Sequence, residues 1–285
     1  MILNIGIIGL GNIGKLFSKI FLENGYNVNI YDKNSEKYDK CYYKGKNIKF
    51  FRRLNSLINK SDLIMISVDK KGLREIFNKL LKNSDKLEGK LIFDTSTFKK
   101  DVIKYYYKFP ESILVSSMHP MFGSGIRNIK KHKIIITPIP NREKGSQILS
   151  SLLSSIGFNV IESYYETHDK AISLTIGISY IIGLSLSELI SNENFNKLEI
   201  FSGTTFKYLG NHYKSILLDV PELAEYIVRQ EYVKEYAKEY VKIINRLRKN
   251  PKYILNNLID FKKKIGEEDI KKSYVNLYDC IESSL

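Results

Sequence analysis

Cysteine and histidine are scarce in this chain of 285 residues, which contains two cysteines and four histidines. Cys41 and Cys280 lie far apart in the sequence and do not have the close spacing of metal ligands. The sequence therefore predicts neither a disulfide framework nor a metal site, and it excludes the disulfide-rich secreted class. A reducing cytoplasm is the compartment that such a composition favours.

The sequence also has little that indicates secretion, a membrane or nucleic acid. Its N-terminus shows no basic stretch and no small-residue cleavage site, so we expect no signal peptide and a cytoplasmic protein. The longest uncharged run, from Ala171 to Ser187, is interrupted by serine, threonine and glycine and predicts a buried helix rather than a membrane span. The net charge of +14 comes from lysines spread along the whole chain. Since no nucleic-acid motif accompanies them, we expect no nucleic-acid partner.

Two different patterns divide the chain. Up to about Val160, short apolar runs alternate with helical patterns, which is typical of βαβ units on a parallel sheet. After Glu162 the periodicity is helical, so we place a boundary near Ser163 and predict an α/β domain over residues 1–162 and an all-α domain over 163–285. The predicted strands are Leu3 to Ile8, Asn27 to Tyr31, Asp62 to Val68, Lys90 to Asp94, Ile113 to Ser117, Lys133 to Thr137 and Phe158 to Ile161.

A glycine turn follows the first predicted strand and begins an amphipathic helix. Gly9 permits the tight turn, Gly11 allows the backbone to approach a pyrophosphate, and Gly14 allows the helix to pack against the sheet. The free N–H groups of the helix N-terminus face the phosphate charge. This context predicts a Rossmann-type dinucleotide-binding domain, whose turn binds the cofactor through Gly9, Gly11, Asn12, Ile13 and Gly14.

The end of the second strand indicates which dinucleotide is bound. Asp32 follows the glycine turn at the sequence separation at which an acidic side chain typically accepts the ribose hydroxyls of NAD. A 2′-phosphate would meet that carboxylate, although the adjacent Lys33 is a cation that such a phosphate can use. The sequence therefore favours NAD over NADP and keeps NADP as the alternative.

One histidine is the best candidate for a catalytic base. His119 is predicted to lie just beyond the strand that ends at Ser117, at the carboxyl edge of the sheet, where these folds bind their ligands. A neutral imidazole there can accept the hydroxyl proton of a substrate that gives up a hydride. His132 and His212 are predicted to be surface or packing residues.

The segment from Ser117 to Gly123, Ser-Met-His-Pro-Met-Phe-Gly, closely resembles the active-site segment of prephenate dehydrogenases. The resemblance covers most of the chain, because other landmarks of that family occur in the same order. They are the glycine turn, Asp32, Ile66 to Val68, Phe93 to Thr97, and Thr167 to Asp169.

The resemblance implies NAD-dependent oxidative decarboxylation of prephenate to 4-hydroxyphenylpyruvate, a step of tyrosine biosynthesis. It implies that His119 is the base and that a hydroxyl near Asp94 assists it; Thr97 aligns with the serine usual in the family, and Ser96 is adjacent. It also places Ser67 and Val68 beside the cofactor.

The two carboxylates of prephenate require cations in the helical half. Lys207 and Lys214 are predicted to share a helix face there. Lys207 stands where the family has a first arginine, whereas Ser215 aligns with the second, which leaves Lys214 one residue away. Tyr180 replaces a histidine common in the family. His168 is expected near the start of the first helix of this half, beside Asp169, as either a substrate contact or a structural contact.

The helical half is also predicted to form the interface of a homodimer, because Thr175, Ser179, Gly183 and Ser187 form a stripe of small residues that allows another helix to approach closely.

The sequence leaves three alternative functions open. One is an arogenate dehydrogenase. Another is a 3-hydroxyacid dehydrogenase, which would leave the His-Pro-Met-Phe-Gly segment unexplained, and the third is a non-catalytic NAD-binding sensor.

Overall fold

A computed structural model describes residues 3–34 and 47–283, so Cys41 lies outside the described residues. The chain divides into two compact units, Met1–Asp169 and Lys170–Leu285. The boundary predicted near Ser163 falls a few residues before this division. His168 and Asp169, which the sequence assigned to the second half, are therefore part of the first unit.

The first unit contains an eight-stranded sheet of order β3-β2-β1-β4-β5-β6-β7-β8. The strands are β1 Asn4–Ile8, β2 Asn27–Tyr31, β3 Ile48–Phe50, β4 Leu63–Ile66, β5 Leu91–Asp94, β6 Leu114–Pro120, β7 Lys133–Thr137 and β8 Asn159–Glu162. All the predicted strands are present. Only the short edge strand β3 was not predicted, because three residues, partly exposed, carry too little hydrophobic pattern to be recognised.

The sheet is mixed, whereas the sequence indicated a parallel one. Strands β6 and β7 pair antiparallel, with Ser117 opposite Thr137 and His119 opposite Ile135. No α-helix connects these two strands, and without such a crossover the chain returns in the opposite direction. The other pairs of neighbouring strands are parallel.

Helices cover both faces of this sheet. They are α1 Asn12–Glu23, α2 Leu54–Asn59, α3 Lys70–Leu81, α4 Lys100–Tyr106 and α5 Lys144–Ile156, and α6 Tyr165–Ile172 follows β8. Phe17 and Phe21 of α1 are fully buried in one core layer, and Phe77 of α3 is fully buried in the other. Because both faces are covered, the strands are nearly continuous apolar runs.

The second unit is helical among its described residues. Its helices are α7 Ile178–Ser191, α8 Phe195–Ile200, α9 Thr204–Ile216, α10 Pro221–Val228, α11 Glu231–Lys249, α12 Tyr253–Ile265 and α13 Glu267–Glu282, and a π-helical segment, Ser173–Gly177, joins α6 to α7. Together with the Rossmann-type sheet, this arrangement confirms the predicted fold class.

The uncharged run predicted to be buried is mostly half-buried. It lies in the continuous helix Tyr165–Ser191, which is the one helix in the described ranges that is long and apolar enough to cross a membrane by length and composition. Its apolar window has a mean hydropathy of 1.6, and only 22% of that window is buried. The prediction of a fully buried helix is therefore wrong, because the other helices of this chain cover the apolar run only in part.

The stripe of small residues brings two helices together at one of its members. A Cβ atom on Gly183 would lie 2.5 Å from Cδ1 of Ile216, so α9 packs directly against α7 at this glycine. The polar members use their hydroxyls differently: Thr175, Ser179 and Ser187 each donate to the backbone carbonyl one turn earlier. The predicted close approach of another helix thus occurs within the chain at Gly183.

Candidate active site

The glycine turn leaves no room for side chains at its first position. Gly9 has φ +99°, and a Cβ atom there would lie 2.2 Å from the carbonyl oxygen of Ser67 and 2.8 Å from Cγ1 of Val68. Only glycine combines this backbone conformation with such close contacts. Ser67 and Val68, predicted to lie beside the cofactor, therefore form the wall behind the turn.

The other two glycines have opposite surroundings. A Cβ atom on Gly14 would lie 2.0 Å from the carbonyl oxygen of Gly9, so the helix presses against the turn. At Gly11, by contrast, no atom of the described residues lies within 4 Å of the position of a Cβ, apart from the glycine's own chain neighbours and the backbone of α1. Asn12 and Ile13 begin α1 at this open space. The residues therefore fit a dinucleotide, because the turn offers an open, glycine-lined approach to a helix N-terminus.

Asp32 is fixed beside this turn. Its Oδ2 accepts a hydrogen bond of 2.7 Å from the backbone N–H of Leu10, and its Oδ1 accepts one of 2.8 Å from the N–H of Asn34. The carboxylate thus joins the end of β2 to the glycine turn. This is the position from which an acidic side chain accepts the ribose hydroxyls of NAD.

His119 lies inside β6, whereas the sequence placed it in the loop beyond the strand. His119 is only 5% exposed, and its Nδ1 is 3.1 Å from Nε2 of His168. His168 in turn places its Nδ1 2.8 Å from Oδ1 of Asp169. The structure therefore connects the predicted base to His168 and Asp169 in a continuous hydrogen-bonded chain.

Asp169 also stabilises the start of α4. Its two carboxylate oxygens accept hydrogen bonds of 2.9 and 3.0 Å from the N–H of Lys99, and Oδ2 accepts another of 2.8 Å from the N–H of Lys100. Backbone N–H groups at the start of a helix have no acceptor within the helix, and Asp169 supplies one for these two. Asp169 therefore binds the start of α4 in addition to its contact with His168.

The hydrogen-bonded chain defines which nitrogen of His119 is basic. A carboxylate only accepts, so His168 donates from Nδ1 to Asp169 and its Nε2 carries a lone pair. That lone pair accepts from Nδ1–H of His119, which leaves Nε2 of His119 as the acceptor. The network thus presents a neutral imidazole whose Nε2 can take a proton.

The electrostatic surroundings keep both imidazoles neutral. Burial, followed by the charge of Lys99 and the presence of His168, holds the pKa of His119 well below its usual value. Burial also lowers the pKa of His168, and the hydrogen bond with Asp169 opposes that effect. Only a neutral His119 can accept a proton, so this environment keeps the imidazole in the form that a general base requires.

Lys99 is a residue of this site that the sequence analysis missed. It is fully buried, and its Nζ donates hydrogen bonds of 2.6 Å to the carbonyl oxygens of Ser96 and Met118. Burial lowers its pKa to about 8, although the charges of Asp94 and Asp169 act in the opposite direction. Lys99 therefore connects the loop after β5 to the strand that carries His119.

The two hydroxyl residues predicted to assist His119 lie in that same loop. The N–H of Ser96 donates a hydrogen bond of 2.7 Å to Asp94, whose other oxygen accepts from the hydroxyl of Tyr106. Ser96 and Thr97 are half-buried, and in the described part of the chain neither hydroxyl is hydrogen-bonded to His119. Their assistance to His119 stays a prediction.

The residues of the helical unit that are predicted to bind the substrate lie in two different places. Lys207 and Lys214 line a cavity of about 220 Å³, together with Asn211 of the same helix and Ile281 of α13. Tyr180 is not among the residues that line this cavity. Its hydroxyl donates to the carboxylate of Asp219, which lies beyond the end of α9, so the tyrosine carries a negatively charged partner.

The comparisons with known proteins agree with the first unit's geometry. Residues 4–113 match the family model described as the NAD binding domain of 6-phosphogluconate dehydrogenase. This match and the fit of the glycine turn support NAD as the cofactor. Among the described residues, no group of three or more histidine, cysteine, aspartate or glutamate side chains has the arrangement of a metal site.

Two curated relatives cover most of this chain. A protein of Methanocaldococcus jannaschii named "Probable arogenate/prephenate dehydrogenase" is 24% identical over 197 residues, which are 67% of this chain and 43% of that protein. A Saccharomyces cerevisiae protein named a prephenate dehydrogenase, with NADP(+) in its name, is 24% identical over 185 residues, which are 64% of this chain and 40% of that protein. The chain thus matches less than half the length of either relative.

A solved structure matches the fold over nearly the whole chain. The prephenate dehydrogenase of A. aeolicus, crystallised with hydroxyphenyl propionate and NAD+, has a TM-score of 0.72 and 20% sequence identity and covers 99% of this chain and 98% of its own. The class that fold and site define is a dinucleotide-binding domain of the dehydrogenase type followed by a helical domain. Within that class, the curated relatives and the solved structure to which this chain is similar are named prephenate or arogenate dehydrogenases.

Proposed function

We propose that this protein is a dehydrogenase that oxidises and decarboxylates prephenate to 4-hydroxyphenylpyruvate with NAD as its hydride acceptor, in tyrosine biosynthesis. The observation that carries the proposal is the chain from His119 to His168 to Asp169, which leaves a basic Nε2 at the carboxyl end of β6. This chain lies in a domain that matches an NAD-binding family. The named relatives supply the class of substrate.

The residues of the site perform two proton transfers in this reaction. NAD, when bound, supplies the hydride acceptor for the ring carbon that bears the hydroxyl. His119 Nε2 accepts the hydroxyl proton as that carbon becomes a carbonyl. The ring carboxylate then departs as carbon dioxide, and its electron pair enters the ring, which becomes aromatic. His119 returns the proton to the phenolate oxygen, so no net proton is consumed.

The other predicted residues have supporting roles in this proposal. His168 orients His119, and Lys99 keeps the imidazole neutral through its charge. Ser96 or Thr97 supplies a hydroxyl to the reacting oxygen or the nicotinamide. Lys207 and Lys214 bind the substrate carboxylates; both line one cavity, which supports their acting together.

Arogenate is the second candidate substrate, and one contact favours it. The hydroxyl of Tyr180 donates to the carboxylate of Asp219, so a negative charge stands where the family usually has a histidine. Arogenate carries an ammonium group where prephenate has a keto oxygen. If Tyr180 contacts the substrate, the adjacent carboxylate stabilises that ammonium group and gives the keto acid no equivalent interaction.

We also propose that the protein is a cytoplasmic homodimer. Several large apolar side chains of the helical unit are highly exposed in the single chain, namely Leu189 at 74%, Ile200 at 78%, Phe201 at 85% and Leu218 at 89%. Apolar surface of this extent is characteristic of protein interfaces. A second copy that covers these side chains would bury this surface.

The experiment is a comparison of substrates by NADH absorbance. Purified protein with NAD is mixed in turn with prephenate, arogenate and 3-hydroxyisobutyrate, and the His119→Asn variant is the matched control. The proposal predicts NADH formation with prephenate or arogenate and none with the hydroxyacid. Turnover of the hydroxyacid alone would favour a 3-hydroxyacid dehydrogenase, and nucleotide binding without any turnover would favour a non-catalytic sensor.

A further inference from the structure

An ion-pair cluster stands next to the predicted ribose site. Lys33, the residue after Asp32, bonds through its Nζ to Oε2 of Glu75 on α3. The other carboxylate oxygen of Glu75 is 2.7 Å from Nζ of Lys79, one helix turn further along α3. Glu75 therefore pairs with two lysines. Of these two, Lys33 is the one next to Asp32 in the sequence.

We propose that Glu75 is a specificity-determining residue that favours NAD over NADP, because it engages Lys33, the cation next to Asp32 in the sequence, which a 2′-phosphate could otherwise use. The proposal rests on the cofactor site proposed above. It concerns the adenosine end of the cofactor and requires nothing of the substrate.

The charges around Asp32 decide between the two cofactors. Asp32 is held by the N–H groups of Leu10 and Asn34, so its carboxylate stays at the end of β2. A 2′-phosphate placed there is repelled by this carboxylate unless a cation pairs with it. Lys33 is the neighbouring cation in sequence, but its ammonium group is directed to Glu75.

Its two lysine partners keep the carboxylate of Glu75 charged and hold it in place. The hydrogen bonds with Lys33 and Lys79 lower its pKa to about 2, so it is ionised at every pH at which the protein would work. Lys79, at i+4 on the same helix, fixes one oxygen of the carboxylate while the other receives Lys33. The side chains of Lys33 and Glu75 are 58% and 41% exposed, so solvent screens the pair and the effect on selectivity is expected to be severalfold rather than absolute.

The test measures binding of two cofactor fragments by calorimetry, without substrate or nicotinamide. Adenosine 2′,5′-bisphosphate carries the 2′-phosphate, and 5′-AMP lacks it. For Glu75→Gln we expect the affinity for the bisphosphate to rise by about fivefold, the size of effect that an exposed charge pair supports, while the affinity for 5′-AMP is unchanged. Lys79→Gln is the control, because it removes a partner of Glu75 and leaves Glu75 bound to Lys33.

A double variant separates the released lysine from the simple loss of a negative charge. In Lys33→Gln/Glu75→Gln the gain should disappear, because the lysine that the loss of Glu75 releases is itself absent. A gain that persists there, an equal change for both fragments, or no change in Glu75→Gln would overturn the proposal. Failure of the wild type to bind either fragment would overturn it together with the cofactor site, whereas binding without turnover would contradict only the proposed reaction.

Discussion

The Nδ1 atom of His119 lies 3.1 Å from Nε2 of His168, and both side chains are buried. This contact joins a residue of β6 to a residue of α6, although the two are far apart in the sequence. Because His168 is itself bound to Asp169, the contact determines which nitrogen of His119 faces the reaction.

Replacement of His119 should separate catalysis from cofactor binding. In His119→Asn the base is lost, so we expect kcat to fall by about 10²- to 10⁴-fold. The affinity for NAD, measured by calorimetry, should stay within about twofold, because the glycine turn and Asp32 are unchanged. A variant with normal kcat would remove the role assigned to His119.

Replacement of Asp169 tests the orientation of the imidazoles. Asp169→Asn can donate to His168 and so permits the other tautomer, in which Nε2 of His119 no longer carries the lone pair. We expect kcat to fall by roughly 10- to 1,000-fold with little change in KM. Asp101→Asn is the matched control, since that carboxylate pairs with Lys70 on the surface of the same region. Equal effects of the two substitutions would contradict the positioning role.

The buried Lys99 should leave a signature in the pH dependence of stability. Its pKa is about 8 in the folded protein and 10.5 when solvated, so between these values the unfolded chain binds more protons. The free energy of unfolding therefore gains a contribution that rises with pH from about 8 to 10.5. Urea titrations at several pH values should show this rise in the wild type and lose it in Lys99→Met. The same slope in both proteins would show that Lys99 is not the titrating group.

The carboxylate beside Tyr180 should affect the choice of substrate. In Asp219→Asn the negative charge is removed, so we expect kcat/KM for arogenate to fall relative to that for prephenate by about tenfold. Tyr180→Phe, which removes the hydroxyl and keeps Asp219, is the companion variant. An unchanged ratio in Asp219→Asn would exclude this carboxylate from substrate recognition.

The exposed apolar side chains of the second unit predict self-association. Light scattering after gel filtration should give twice the chain mass, and Leu189→Lys should shift the protein toward monomer, because it places a charge on a large exposed apolar side chain of α7. Lys238→Gln, on an exposed position of α11, should leave the mass unchanged. A monomeric wild type would contradict the dimer, and a requirement for detergent would indicate a membrane surface instead.

The cofactor half of the fold could be predicted because its signals are local. Each strand is a short apolar run bounded by turn residues, and Gly9, Gly11 and Gly14 occupy backbone positions that only glycine tolerates or that a ligand must approach. His119 could be selected from its position after a predicted strand, and the family resemblance agrees with that choice. The prediction that His119 lies in a loop was wrong by a few residues. Pro120 and Gly123 suggested that the strand ends earlier than β6 does.

The rest of the site could not be predicted because it depends on contacts between distant segments. Lys99 stands between a phenylalanine and another lysine, a pattern that indicates a surface helix start, and only the fold shows that it is fully buried between Ser96 and Met118. The pairing of His168 with His119 likewise follows from the packing of α6 near β6. The exposure of α7 depends on what covers it, and a single sequence carries no information about a second chain.

The most direct measurement of the central claim is the ratio of carbon dioxide to NADH. Prephenate and arogenate, each labelled in the ring carboxylate, are incubated with the protein and NAD, and released carbon dioxide is compared with NADH absorbance. Oxidative decarboxylation through His119 predicts equal amounts of both products with at least one of the two substrates, and neither product at a comparable rate with His119→Asn. NADH without carbon dioxide, or no NADH from either substrate, would contradict it.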